Sequence, residues 1–292
     1  MIRLAIISEG VHTWPLYVAQ SKRLFESEGA IVEVTRTGSS VQQIEQLSQG
    51  GFDIGFQQSD HVVRSVEQGF DLCIFMAQAH APELTLVAAP DIHSIADLKN
   101  KTIVVDGPHT GYSPLLRRLF KERGFTDDEM RLVEFGGSQE RLDAMKRGDG
   151  AACFINPPFD LNLLALGYRS LGTTSEFFPD YPGSIAAVRR SWAAAHNTEM
   201  LAFIRGFSRA YDWLQVEANR EEAVTLLPAH LRLDTEYARR AVRRIYSGPR
   251  PSIDEVGLQQ VIDVVWDAEA YKAPKGAPGK YMDLSYLQKA FA

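Results

Sequence analysis

Two stretches of the chain set a histidine–threonine pair at the same point of the same pattern. The first reads Ile6-Ile7-Ser8-Glu9-Gly10-Val11-His12-Thr13-Trp14-Pro15-Leu16. The second reads Val104-Val105-Asp106-Gly107-Pro108-His109-Thr110-Gly111-Tyr112-Ser113-Pro114-Leu115. Each is an apolar strand, an acidic-Gly-x-His-Thr turn and a helix that opens near a proline. A turn of this kind leaves backbone N–H groups free at a helix N-terminus, where they can hold an anion. Its imidazole and hydroxyl add further hydrogen-bonding groups. Two such turns facing each other would clamp a small ligand from both sides.

More polar residues fall where strands are expected to end. The first part of the chain offers Ser39, Ser40, Gln58, His61 and His80; the second offers Thr110, Gly111, Tyr112, Ser138 and Asn156. Ser39 and Ser40 also suit helix N-caps, a role compatible with ligand contact. Trp14 and Tyr112 carry ring faces that can stack on a ligand or pack a hinge. Of the seven histidines, His12, His61, His80 and His109 lie on these loops. Their imidazoles can bond a carboxylate, a sulfonate or a ring nitrogen, or do acid–base work, with His12, His61 and His109 as the catalytic candidates. No His-x-His or His-x-x-x-His spacing marks a metal site. No Gly-x-Ser-x-Gly, P-loop or Cys–His pair marks another catalytic class. Neither a metal nor a cofactor is expected.

Alternating short elements must position these loops. Strands are predicted over 3–8, 31–36, 52–56 and 72–77, with helices over 15–27, 41–49 and 60–68 between them. Pro15 suits a first helical turn, and Gly29 and Gly50 suit C′ positions. The pattern then restarts: a capped helix at Ser94–Lys99, strands over 102–105, 131–135 and 151–155, and helices over 113–123 and 139–147. The helix-glycine-strand run through Gly50 and Phe56 is echoed by the run through Gly148 and Phe154. Strands alternating with helices imply α/β sheets with parallel strands. After a strand over 184–189 the chain becomes helical, over 197–216, 220–227, 235–245 and 253–271, the first with apolar residues at helical spacing.

The composition is that of an ordinary globular protein: 292 residues, 45% hydrophobic and 23% charged. A net charge of −6 argues against a general nucleic-acid binder. Cys73 and Cys153 sit in apolar runs and read as buried thiols. No stretch approaches the roughly 20 apolar residues that a membrane span needs. Met1-Ile2-Arg3 leads directly into the first strand without a cleavage site, so a cytoplasmic location is expected as written, or a periplasmic one for a processed chain.

The layout resembles the type II periplasmic-binding-protein fold, in the branch that binds alkanesulfonates, taurine, nitrate and thiamin pyrimidine precursors. The likeness is carried by Pro15-Leu16-Tyr17-Val18-Ala19-Gln20 with Leu24-Phe25 and Glu28-Gly29, and by Gly50-Gly51-Phe52-Asp53-Ile54-Gly55-Phe56. Ser94-Ile95-Ala96-Asp97-Leu98-Lys99 and Asp283-Leu284-Ser285-Tyr286-Leu287 complete it. The resemblance implies two lobes, each a mixed sheet flanked by helices, joined by two crossovers and followed by a helical C-terminal segment. Residues 1–89 plus 184–292 would form lobe 1, and residues 90–183 lobe 2. Ligands of open α/β sheets sit beyond the C-terminal strand ends, where both His-Thr turns fall. The function implied is that of a solute-binding protein closing on a small organic anion or heteroaromatic molecule, with an ABC permease as partner if exported. The ligand contacts expected are Trp14, Ser39, Ser40, Gln58, His61, Thr110, Gly111, Tyr112 and Asn156. The alternative is an enzyme on the same fold. His61 falls where the yeast-type thiamin pyrimidine synthase has its reacting histidine. Gln57 stands where that enzyme has a pyridoxal-phosphate lysine, and its cysteine-rich iron-binding run is missing, so that activity is not carried over.

Overall fold

Strand pairing divides the computed structural model into two five-stranded sheets; it describes residues 1–79, 84–109, 112–179, 181–226, 235–246 and 248–292. The first sheet has the order β2 (Val32–Arg36), β1 (Ile2–Ile6), β3 (Ile54–Gln57), β10 (Ile185–Arg189), β4 (Leu72–Ala77). The second has the order β7 (Arg131–Glu134), β6 (Thr102–Val105), β8 (Ala152–Ile155), β5 (Thr85–Ala88), β9 (Arg169–Thr173). Strand β1 pairs in parallel with β2 and β3, and β6 pairs in parallel with β7 and β8. The repeat read in the sequence is therefore a repeat of topology.

Each sheet is mixed because each receives one antiparallel strand directly after the chain leaves the other. Strand β5 follows β4 and runs antiparallel between β8 and β9; β10 follows β9 and runs antiparallel between β3 and β4. The chain thus changes sheets before Thr85. Residues 85–88, expected in lobe 1, pair within the second sheet. The sequence reading missed them because a short apolar run between two crossings carries no periodicity of its own. The return falls between Thr173 and Ile185, and the two crossing segments lie side by side: Gln78 and Ala79 donate their N–H groups to Ser184 O at 2.8 and 3.1 Å.

Helices follow the expected spacing with local corrections. The helix predicted over 15–27 is broken: Trp14–Ser21 ends and Leu24–Ser27 restarts after Arg23, which takes a φ of 53°. The helix Ser40–Gln49 is capped by Ser39, whose Oγ accepts from Gln42 N at 3.3 Å, and is stopped by Gly50 at φ 89°, a left-handed conformation that glycine adopts without strain. Among the described residues the longest helix, Asn197–Gln215, buries Phe203 and Phe207 against Phe25, Phe56 and Phe75 in the core of the first lobe. The helix Glu255–Glu269 has a different place. Its Leu258, Val261, Ile262 and Val265 share one core with Val62 and Val63 of the first lobe and with Leu115, Leu119 and Phe120 of the second. It packs on the helices Ser59–Glu67 and Ser113–Glu122, so it spans the junction behind the crossings. Cys73 and Cys153 are free and buried, and burial pushes both thiols up to about 12.

Candidate functional site

The C-terminal ends of the parallel strands in the two sheets face each other, and the loops that leave them meet. From the first lobe comes the turn Val11–Thr13. Gly10 N donates to Thr13 Oγ1 at 3.0 Å, and the Thr13 hydroxyl donates to Gly10 O at 2.6 Å. Tyr246 Oη donates to Val11 O at 2.6 Å and Gln78 Nε2 to His12 O at 3.1 Å. The turn is held from both flanks, and His12 emerges from it toward Asn156 of the second lobe, with His12 Nδ1 3.4 Å from Asn156 Nδ2. Burial lowers the His12 pKa to about 4, so the imidazole is neutral near pH 7 and can accept from the amide.

A second crossing contact lies beside the first. Ser40, at the start of its helix, has its Oγ 3.4 Å from Asp106 Oδ2, at the end of β6. Burial pushes the Asp106 carboxyl above the usual carboxylate range, against the pull of Arg141 and His61; Asp60 pushes it the same way as burial. Arg141 donates to Gly136 O at 3.0 Å and to Ser138 Oγ at 3.1 Å, and Ser138 in turn bonds Asn156 Oδ1. On the other side Tyr112 lies beside Gln58 and Ser184, and burial raises its phenol pKa. Below this layer Arg64 pairs with Asp60 and reaches Glu269 Oε1 at 2.7 Å, tying the helix Ser59–Glu67 to the bridging helix.

The residues predicted from sequence are placed unevenly. Ser40, Gln58, His61, Tyr112 and Asn156 gather at the junction, as does His12. Ser39 acts as the N-cap of its helix. His109 is exposed, and Thr110, Gly111 and His80 lie outside the described residues. The second His-Thr turn therefore does not mirror the first as a pair of facing imidazoles. Trp14 is a correction: it is fully buried, its Nε1 donates to Ala223 O at 2.7 Å, and its ring meets Tyr246 edge-on at 6.3 Å. It belongs to the first lobe's core and presents no face to a ligand. Among the candidate catalytic histidines, His12 and His61 are at the junction and His109 is not.

Sequence reasoning missed Asp60, Asp106, Arg141 and Gln43. The signal for Gln43 was present: the buried stripe of its helix is Ser40, Gln43, Leu47, so an amide occupies a core-facing position. Among the described residues no group of three or more His, Cys, Asp or Glu is placed to hold a metal. None of their helices is long and apolar enough to cross a membrane.

Two lobes with matching mixed sheets, facing strand ends and polar contacts across the junction define a protein of the type II periplasmic-binding-protein class. The chain belongs to the NMT1/THI5-like family, whose model matches residues 11–221. Comparison with curated proteins by sequence gave no significant match. Similar solved structures include a protein of Bordetella bronchiseptica RB50, 20% identical with a TM-score of 0.84, covering 99% of this chain and 96% of that one. The periplasmic nitrate-binding protein NrtA of Synechocystis PCC 6803 is 14% identical with a TM-score of 0.83, covering 99% and 87%. The alkanesulfonate-binding protein SsuA of Xanthomonas axonopodis pv. citri, bound to MOPS, is 18% identical with a TM-score of 0.79, covering 96% and 97%. At these identities the likeness is one of fold.

Proposed function

We propose that the chain is a solute-binding protein whose lobes close on a small polar molecule, uncharged or cationic and carrying N–H donors. The observation that carries this reading is the pair of contacts across the junction, His12–Asn156 and Ser40–Asp106, made by residues at the strand ends of both sheets. A cleft lined from two hinged bodies suits a receptor that encloses its ligand. The groups present favour donors over an oxyanion. Asp106 and Asp60 put carboxyl oxygens at the junction, Arg141 already offsets Asp106, and Arg64 is held by Asp60 and Glu269. A sulfonate or carboxylate would meet the acceptor oxygens of Asp106 and Asp60 and incur a desolvation cost there. An amino-substituted heteroaromatic ring would find acceptors and, in Tyr112, a flanking ring.

The similarity to a nitrate-binding protein described as periplasmic favours the periplasmic location over the cytoplasmic one, and similarity to the ligand-binding component of an ABC-type import system favours an ABC permease as the partner. A thermal-shift screen of sulfonates, aromatic carboxylates and uncharged heteroaromatic compounds tests the function, with mass spectrometry of each stabilising mixture. The expected result is a stabilising compound recovered unaltered. A compound recovered chemically changed would refute the receptor and favour an enzyme using His61 or His12.

A further inference from the structure

Several buried polar atoms of the first lobe have no hydrogen-bond partner among the described residues. Gln43 is fully buried, and neither its Nε2 nor its Oε1 is paired; Gln57 Oε1, Ser59 Oγ and Asp60 Oδ1 are likewise unpaired. The four residues come from the helix Ser40–Gln49, the end of β3 and the start of the helix Ser59–Glu67. Gln57 Nε2 donates to Ser40 O at 3.1 Å, which fixes its amide and leaves Oε1 as the free atom. The residue it holds, Ser40, is the one that reaches Asp106 across the junction. Gln43 lies one helical turn beyond Ser40 on the same buried face, and its Oε1 is 3.8 Å from where a Cβ would stand on Gly55 of β3.

An unpaired amide in a core position is costly: each buried polar atom without a partner opposes folding, and an apolar residue of similar volume would avoid that cost. Leu47, one turn further along the same stripe, shows that the helix–sheet interface accepts an apolar side chain. The amide is therefore unexplained by packing and suited to a partner that the chain itself does not supply.

We infer that Gln43 and Gln57 form a recognition subsite for an amide-like edge. The ligand edge is an N–H donor next to a carbonyl or ring-nitrogen acceptor, on a planar uncharged molecule. Gln43 supplies one donor and one acceptor and Gln57 Oε1 a second acceptor, with Ser59 Oγ and Asp60 Oδ1 as further unpaired atoms at the start of the next helix. This assignment rests on the solute-binding reading and narrows it.

Benzamide and benzoate are the probes, because they share size and shape and differ in edge and charge. Thermal unfolding of the full chain is measured with each at millimolar concentration, for the wild type, Gln43→Leu and Gln57→Leu. The expected result is a larger rise in melting temperature with benzamide than with benzoate. The affinity for benzamide should fall about tenfold or more in either variant, as loss of hydrogen bonds to a buried edge requires. Without any probe, Gln43→Leu should melt at the same temperature as the wild type or higher. A Gln43→Leu protein that melts well below the wild type would show a structural amide and overturn the assignment. So would benzamide shifts that survive both substitutions, or no response to benzamide at all. A wild-type response to benzoate above that to benzamide would overturn the subsite while leaving a ligand-closing protein in place. Stabilisation by none of the compounds in the wider screen would count against the solute-binding reading itself.

Discussion

Gly10 is where the proposed closure of the two lobes can be tested most directly. It stands at the point where the lobes meet, and a methyl group there would lie 2.9 Å from Asn156 Nδ2, 3.0 Å from His12 Cε1 and 3.1 Å from His12 Nδ1. Heavy atoms rest at about 3.5–4.0 Å, so relief requires a shift of roughly half an ångström or more. The backbone itself gives no resistance, since φ 170° and ψ −172° are extended values that alanine adopts freely. The cost of Gly10→Ala therefore falls on the His12–Asn156 contact, which at 3.4 Å has no distance to spare. Losing one neutral hydrogen bond costs about 0.5–1.5 kcal/mol and displacing packed groups about 1–3 kcal/mol. Closure should weaken by on the order of 1–3 kcal/mol, roughly 5- to 150-fold in the ratio of open to closed forms. Small-angle scattering reads this as a larger radius of gyration for Gly10→Ala, and the affinity for any stabilising ligand should fall with the closed population. If Gly10→Ala matches the wild type in both compaction and affinity, the His12–Asn156 contact is not part of closure.

Three further outcomes are expected. Burial holds His12 at a pKa of about 4 in the folded chain, below the roughly 6.5 of an unfolded histidine. The unfolded state therefore takes up a proton first as the pH falls. The penalty for charging His12 in the folded chain is absent above about pH 6.5 and grows toward pH 4, to about 3 kcal/mol. His12→Asn should flatten that part of the urea-unfolding profile, and an unchanged slope would contradict the assignment. Arg64→Met should cost about 3–5 kcal/mol, because Asp60 is left buried and unpaired, whereas Glu269→Gln leaves the Asp60 pair intact and should cost far less. Equal losses in denaturant titrations would refute the asymmetry. Trp14→Phe should lower stability by about 1–2 kcal/mol through the lost bond to Ala223 O while leaving ligand affinity unchanged; a selective loss of affinity would return Trp14 to the cleft.

The fold was legible because its signals are local. Gly50 and Gly148 stop helices, Ser39 starts one, and apolar strands separate them. The doubled pattern in the sequence corresponds to a doubled strand order in the structure. What the sequence concealed depends on distant neighbours. Trp14 reads as an aromatic on a cleft loop until Ala223 and Tyr246, more than two hundred residues away, are seen to enclose it. His12 and His109 occupy the same place in one motif, yet one is half-buried beside Asn156 of the opposite lobe and the other is exposed. The charges around the site were hidden for a similar reason. Helix N-termini and hydroxyls suggest an anion, and only tertiary contact shows that Asp60 and Arg141 act on Asp106 and that Arg64 is engaged by Asp60 and Glu269.

The exchange of antiparallel strands also sets an order of assembly during synthesis. By the time Thr173 has left the ribosome, the second sheet has all of its strands, from β5 to β9, in one continuous segment. The first sheet, begun earlier, still lacks β10, which lies between β3 and β4 and alone joins them. The half that starts second is thus the half that can finish first. The N-terminal strands must wait, with β4 unpaired, until Arg189 emerges.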